Sequence, residues 1–195
     1  GDAGDDVLEA LEGMRLPILG VLPRDAAIEA PSRHLGLVPV EERADAEATM
    51  ERLAAQVNAH IDLDALISAA QAAPELDVIP WDPAAEVTAP TDRRPVVAVA
   101  GGRAFTFRYQ ETVELLAAAG CQVEVFDPAT DDRLPEGTAG IYLGGGFPEV
   151  HAAALTSRAG LRREIAEFAV SGGPVVAECA GMLYLSDSVD ATGMV

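Results

Sequence analysis

Beyond residue 95, short apolar runs alternate with helical stretches, and the joints between them are only a few residues long. Pro95-Val96-Val97-Ala98-Val99-Ala100 reads as a buried strand ending at Gly101-Gly102, and residues 110–119 as a helix stopped by Gly120. Cys121 to Phe126 reads as a strand closed by Asp127-Pro128, and Gly140-Ile141-Tyr142-Leu143 as a strand running into Gly144-Gly145-Gly146. Residues 149–155 and 160–170 read as helical pieces. Gly173-Pro174-Val175-Val176-Ala177 is the next strand, and Met182-Leu183-Tyr184-Leu185 opens an apolar helix. Strands that alternate with helices over short connections pair in parallel, which predicts an α/β fold with helices on both faces of one sheet. No internal repeat is visible.

This regular pattern does not extend to the start of the chain. Residues 74–95 hold five prolines, Pro74, Pro80, Pro83, Pro90 and Pro95, together with the only tryptophan, Trp81. Proline stops helices and central strands alike, so a linker is expected over 74–94 between segments 1–73 and 95–195. In the first segment, Val7 to Gly13 reads as a helix and Leu16 to Pro23 as a buried strand. Residues 31–40 read as loop plus short strand. Met50, Leu53, Ala54 and Val57 fall on one face of a helix over 41–59, and Asp62 is placed to cap a second helix, Leu63 to Ala73. Nothing follows the last helix to close the sheet, and the start is equally abrupt, so the chain reads as an internal piece of a longer protein.

Charge removes whole classes of function. The 13 basic residues are all arginine, against 32 acidic ones, for a net charge of −19. Neutralising phosphates or docking on anionic lipid requires clustered basic charge, so neither a nucleic-acid nor a membrane partner is expected. Without lysine, the chain cannot encode a phosphate loop of the Walker type or form a lysine Schiff base. Two cysteines, Cys121 and Cys179, are too few for a disulfide scaffold, and with no signal peptide or membrane-length apolar run a reduced cytoplasmic setting is expected.

The chemistry concentrates at Val175-Val176-Ala177-Glu178-Cys179-Ala180-Gly181. A strand feeding a sharp turn with cysteine at its tip, then a helix, is the cysteine form of a nucleophile elbow. Small residues must flank such a turn, here Ala177 and Gly181, because the nucleophile adopts a strained backbone. The helix start favours the thiolate and aims N–H groups at an incoming oxyanion. A small buried hydrophobe is an equally good reading of Cys179 taken alone. Leu143-Gly144-Gly145-Gly146-Phe147-Pro148-Glu149 follows the neighbouring strand; by itself it is a tight turn, but beside the elbow it is a candidate oxyanion loop. Of the histidines that could serve as base, His34, His60 and His151 all precede the elbow. His60 reads as solvated and His151 as packing or surface, so the base is either His151, against its helical context, or a residue beyond 195. Cys121 reads as core, Asp131-Asp132 as a solvated turn, and no metal site is expected.

Several of these runs closely resemble one enzyme family. Leu143 to Glu149 and Ala177 to Leu185 resemble the glutamine amidotransferase domain of the cobyrinic acid a,c-diamide synthases. Ala104-Phe105-Thr106-Phe107 with Tyr109 resembles the family's Ala-Phe-x-Phe-x-Tyr stretch. Leu19 to Arg24 and Pro31 to Leu37 resemble the end of its ATP-dependent synthetase domain, and Arg33-His34-Leu35-Gly36-Leu37 favours this family over the cobyric acid synthases. The resemblance implies a flavodoxin-like class I amidotransferase fold over 95–195, preceded in 1–73 by a remnant of a P-loop-type synthetase domain. It implies that Cys179 attacks glutamine while backbone N–H groups of Gly145, Gly146 and Ala180 hold the oxyanion. The ammonia released would amidate carboxylates of a corrin precursor activated by ATP and magnesium. Arg24 and Arg33 are candidate contacts to that carboxylate-rich substrate. The family's phosphate loop would precede residue 1 and its catalytic His–Glu pair would follow residue 195, so this piece alone is expected to bind no cofactor and to be inactive. Two departures stand out: Ala180 replaces a glycine but keeps the backbone donor, and Ala100-Gly101-Gly102-Arg103-Ala104-Phe105 lacks an acidic residue usual in the family. The alternatives are the amidotransferase part of a nickel-sirohydrochlorin diamide synthase and a non-catalytic flavodoxin-like binding module. Open sheet edges would favour aggregation or a homodimer.

Overall fold

The computed structural model describes residues 11, 16–28, 38, 43–88 and 91–188. The chain divides into two compact units, residues 1–79 and 80–195.

In the first unit, helices α1 (Ala46–His60) and α2 (Leu63–Gln71) follow one another with a single capped joint between them. Asp62 caps α2 as its position suggested: its Oδ1 accepts from the Ala65 N–H at 2.9 Å. At the start of α1, Arg43 donates to the Asp45 carboxylate at 3.0 Å and to the Thr49 hydroxyl at 3.1 Å, and this hydrogen bond holds the Asp45 carboxyl below its usual range.

Two expectations here are corrected. Leu16 to Pro23 is not a buried strand: Leu16 is 64% exposed, and the run makes one antiparallel bridge, Gly20 to Ile61, with Asp62 donating to the Leu19 carbonyl at 2.7 Å. Pro17 and Pro23 lack N–H donors and, six residues apart, both fall on the same edge of an extended run, so no full ladder can form along that edge. The apolar stripe of α1 is not buried either, since Met50 is 61% exposed, and only Thr49 of that helix is enclosed among the described residues. The helix expected over Val7–Gly13 and the loop and strand expected over 31–40 lie outside the described residues, apart from Leu11 and Val38.

The second unit is the α/β layer structure that the alternation required. A short helix, α3 (Pro83–Glu86), precedes strand β1 (Val96–Ala100), and α4 (Gln110–Ala118) leads to β2 (Gln122–Phe126). Strand β3 (Thr138–Leu143) is followed by α5 (Ala152–Ser157) and α6 (Ala159–Val170), then β4 (Val175–Ala177) and α7 (Ala180–Tyr184). All pairings are parallel and the strand order is β2-β1-β3-β4. Such an order reverses direction between β1 and β3, the place where open α/β sheets bind ligands at the carboxyl ends of their strands.

Strand alternation sorts the two faces. Ala98, Ala100, Phe126, Ile141 and Leu143 point to one side and join Leu155, Leu161, Ile165 and Ala180 from α5, α6 and α7 in the main core. The other face carries Val97, Val99, Tyr142 and Val176, and here β4 is poorly covered, with Val176 59% exposed. Cys121 stands just before β2 and is half-buried rather than central to the core. Asp131 and Asp132 do form a turn: Asp131 accepts from the Asp127 N–H at 2.8 Å, and Asp132 pairs with Arg158 at 2.7 Å. Among the described residues, no helix is long and apolar enough to cross a membrane.

Tyr184 packs edge-on against Phe105, with ring centroids 5.7 Å apart, and its hydroxyl is enclosed without a hydrogen-bond partner among the described residues. Burial pushes its phenol up to about 12 from an ordinary 10.0. The folded state therefore keeps a proton that the unfolded chain gives up, and this contribution, full below pH 10.0, is lost as pH rises through about 12. Tyr184→Phe removes the unpaired hydroxyl, so chemical denaturation should show a gain of about 1 kcal/mol at neutral pH and a shallower alkaline fall. In the same assay Leu161→Ala, at a fully enclosed site, should cost about 2–5 kcal/mol, whereas Val176→Ala should change stability by less than about 0.5 kcal/mol.

Candidate active site

Strand β4 runs out of ladder at the point where the chemistry begins. The Glu178 N–H extends the pairing by one bond, to the Leu143 carbonyl at 3.0 Å. The chain then turns sharply, and α7 starts at Ala180. Cys179, at the tip, has φ +49° and ψ −110° and is exposed. A non-glycine residue held in such a conformation costs roughly 1–3 kcal/mol, so the surrounding contacts must enforce it.

Those contacts come from β3 and the loop beyond it. The Gly181 N–H donates to the Gly144 carbonyl at 3.0 Å and to the Glu178 carbonyl at 2.9 Å. Gly181 also lies so close to β3 that an added Cβ would stand 2.2 Å from the Leu143 carbonyl oxygen. Gly181 is therefore glycine because of backbone approach, which the need for a small residue in that position anticipated. Cys179 is not the buried hydrophobe of the alternative reading.

The glycine loop is itself held by residues 104–107. Phe107 and Gly145 form an antiparallel bridge, with the Phe107 N–H donating to the Gly145 carbonyl at 3.1 Å, and the Phe147 N–H donates to the Ala104 carbonyl at 3.1 Å. A Cβ on Gly146 would lie 2.1 Å from the Ala104 carbonyl oxygen. Edge-on packing of Phe107 and Phe147, at 5.3 Å between centroids, closes the contact. The Ala104-Phe105-Thr106-Phe107 run thus serves as a backing for the glycine loop.

The structure brings Cys179, Ala180 and the Gly144–Gly146 loop together at the carboxyl ends of the adjacent strands β3 and β4. As the first residue of α7, Ala180 has no acceptor for its N–H within the helix, and the residue is fully buried. His151 is the N-cap residue of α5, its N–H donating to the Pro148 carbonyl at 3.1 Å. Arg24 is an exposed residue of the first unit, and Arg33 lies outside the described residues. Sequence reasoning missed one polar pair at the elbow. The Tyr142 hydroxyl donates to the Glu178 carboxylate. Burial, and after it this carboxylate, push the Tyr142 phenol above its ordinary pKa. A glutamate closing an otherwise apolar strand, one residue before the cysteine, was the available signal. A small cavity of about 130 Å³ between α5 and α7, bordered by Pro148, Leu155 and Tyr184, does not include Cys179.

Comparison with known proteins agrees with this geometry. The profile of the CobB/CobQ-like glutamine amidotransferase domain matches residues 96–194. The hydrogenobyrinate a,c-diamide synthase of Thermobifida fusca is 52% identical over 97% of this chain and 42% of its own length. The enzyme of the same name from Streptomyces coelicolor is 44% identical over 95% of this chain and 44% of its own length. The cobyrinate a,c-diamide synthase of Caldanaerobacter subterraneus subsp. tengcongensis is 37% identical over 90% of the chain and 38% of its own length. The chain therefore spans less than half the length of these curated relatives. No solved structure matches it. With the elbow, the glycine loop and the parallel sheet all falling within the matched residues, the chain belongs to the CobB/CobQ-like glutamine amidotransferase domain family.

Proposed function

We propose that this chain carries the glutamine-hydrolysing centre of an enzyme that amidates the a and c acetate carboxylates of a corrin precursor. The observation that carries the reading is the strained, exposed Cys179 at the end of β4, tied to the glycine loop through Gly181. A binding module has no use for a strained cysteine at a strand end, whereas a nucleophile gains exposure and alignment from it.

In this reading the Cys179 thiolate attacks the side-chain amide carbon of glutamine. Backbone N–H groups of Ala180 and of the Gly145-Gly146 loop hold the oxyanion of the tetrahedral intermediate. Its collapse breaks the C–N bond, releases ammonia and leaves a glutamyl thioester, which water hydrolyses to glutamate. The departing amide nitrogen takes up the proton that Cys179 gave up in forming its thiolate, carried by a general acid–base group. The chain has no lysine for a phosphate loop, and among the described residues no group of three or more His, Cys, Asp or Glu suits a metal. In this reading residues 1–73 are the end of an ATP- and magnesium-dependent synthetase domain, 74–94 a linker and 95–195 the start of the amidotransferase domain. Arg24 and Arg33 remain candidates for contacts to the corrin carboxylates. Identity is higher to the two hydrogenobyrinate synthases, at 52% and 44%, than to the cobyrinate synthase, at 37%, which favours a cobalt-free corrin as substrate.

Incubation of the full-length polypeptide with 6-diazo-5-oxo-L-norleucine, a reactive glutamine analogue, should give a single adduct by intact mass, absent from Cys179→Ala. No adduct, while iodoacetamide still alkylates Cys179, would overturn the glutaminase reading. The strain makes a second prediction. Cys179→Gly should abolish glutaminase activity and yet raise stability by about 1 kcal/mol in denaturant titration, because glycine accepts the φ of +49° at little steric cost.

A further inference from the structure

Tyr142 stands two residues before the glycine loop and Glu178 one residue before the nucleophile. Leu143 pairs with Ala177 in register, and both face the α5–α7 core, so Tyr142, Val176 and Glu178 share the opposite face. Within the plane of the sheet the elbow is tied by backbone bonds from Glu178 to Leu143 and from Gly181 to Gly144. On the face opposite the α5–α7 core, a side-chain bond from the Tyr142 hydroxyl to the Glu178 carboxylate adds a tie between the two strands. Thr112 of α4 and Tyr109 also lie close enough to act on the Tyr142 phenol, the first lowering and the second raising its pKa.

The geometry points to Tyr142 and Glu178 as a positioning pair that fixes the spacing between the Cys179 elbow and the glycine loop. Neither residue need touch glutamine. β3 leads directly into the oxyanion loop and β4 directly into the nucleophile. A bond between the last side chains of the two strands on this face therefore sets how far the attacking sulfur stands from the donors. Small errors in that spacing cost rate more than binding, since alignment matters most in the transition state. The chemical consequence rests on the glutaminase reading; the pairing itself does not.

The test measures kinact and KI for 6-diazo-5-oxo-L-norleucine in the full-length polypeptide, alongside the pH–rate profile of Cys179 alkylation by iodoacetamide. The proteins compared are wild type, Tyr142→Phe, Glu178→Gln, Glu178→Ala and the double variant Tyr142→Phe/Glu178→Ala. Tyr142→Phe and Glu178→Ala should each lower kinact roughly tenfold with KI unchanged to within about twofold. Glu178→Gln keeps an acceptor for the Tyr142 hydroxyl and should retain most of the rate. In the Glu178→Ala background, Tyr142→Phe should add nothing. Wild-type kinact in Tyr142→Phe, or losses that multiply in the double variant, would overturn the pair. If wild type takes no adduct while iodoacetamide alkylates Cys179, the glutaminase reading fails and the alkylation profile alone decides. Tyr142→Phe must then shift its midpoint when Glu178 is present and leave it unmoved when Glu178 is alanine; equal behaviour in both backgrounds would overturn the pair.

Discussion

The close approach of Gly181 to the Leu143 carbonyl is the constraint on which the site depends. It allows the Gly181 N–H to reach the Gly144 carbonyl, and that bond, with the one from Glu178 to Leu143, brackets Cys179 and Ala180 and holds Cys179 at a positive φ. A side chain at 181 would push α7 away from β3 and let Cys179 relax to an ordinary backbone. The strain is thus not stored locally in the turn. It is enforced by a neighbouring strand, and through that strand by the whole parallel sheet.

The sheet, in turn, is stabilised on one face more than the other. The core against α5, α6 and α7 gathers Ala98, Ile141, Leu143, Leu161 and Ile165, and it anchors both strands that end at the site. The carboxyl end of β3 is enclosed in that core, whereas β4 is the edge strand with Val176 exposed on its other face, and the glycine loop between β3 and α5 is held by residues 104–107. The edge strand therefore carries the nucleophile, and a backed loop after the enclosed strand beside it carries the candidate donors, so their alignment rests on the pairing of β3 with β4.

The α/β character of the second unit was legible because each strand there is a continuous apolar run bounded by glycine or proline, and Cys179 was legible because it follows one of them directly. Asp62 was legible as a cap because capping is local. Leu16 to Pro23 misled because it has the composition of a strand, but a strand also needs a partner along its length, and composition does not supply one. Met50 and Leu53 misled in the same way: periodicity places residues on a face and does not say what covers it. Tyr142 and Glu178 could not be paired from sequence at all. Their contact depends on the register of β3 against β4, and a shift of one residue would send Tyr142 to the opposite face.

The segments that meet at Cys179 are far apart along the chain: Phe107 bridges Gly145, Leu143 accepts from Glu178, and Tyr142 reaches Glu178 across 36 residues. Contacts of that separation form late in folding, after the entropy of closing the intervening loops has been overcome. During synthesis and early collapse, the cysteine is therefore an ordinary thiol on an unstrained turn. Its special geometry arises only with completion of the parallel sheet, so the rate at which the thiol acquires its final reactivity would time the last long-range step of folding.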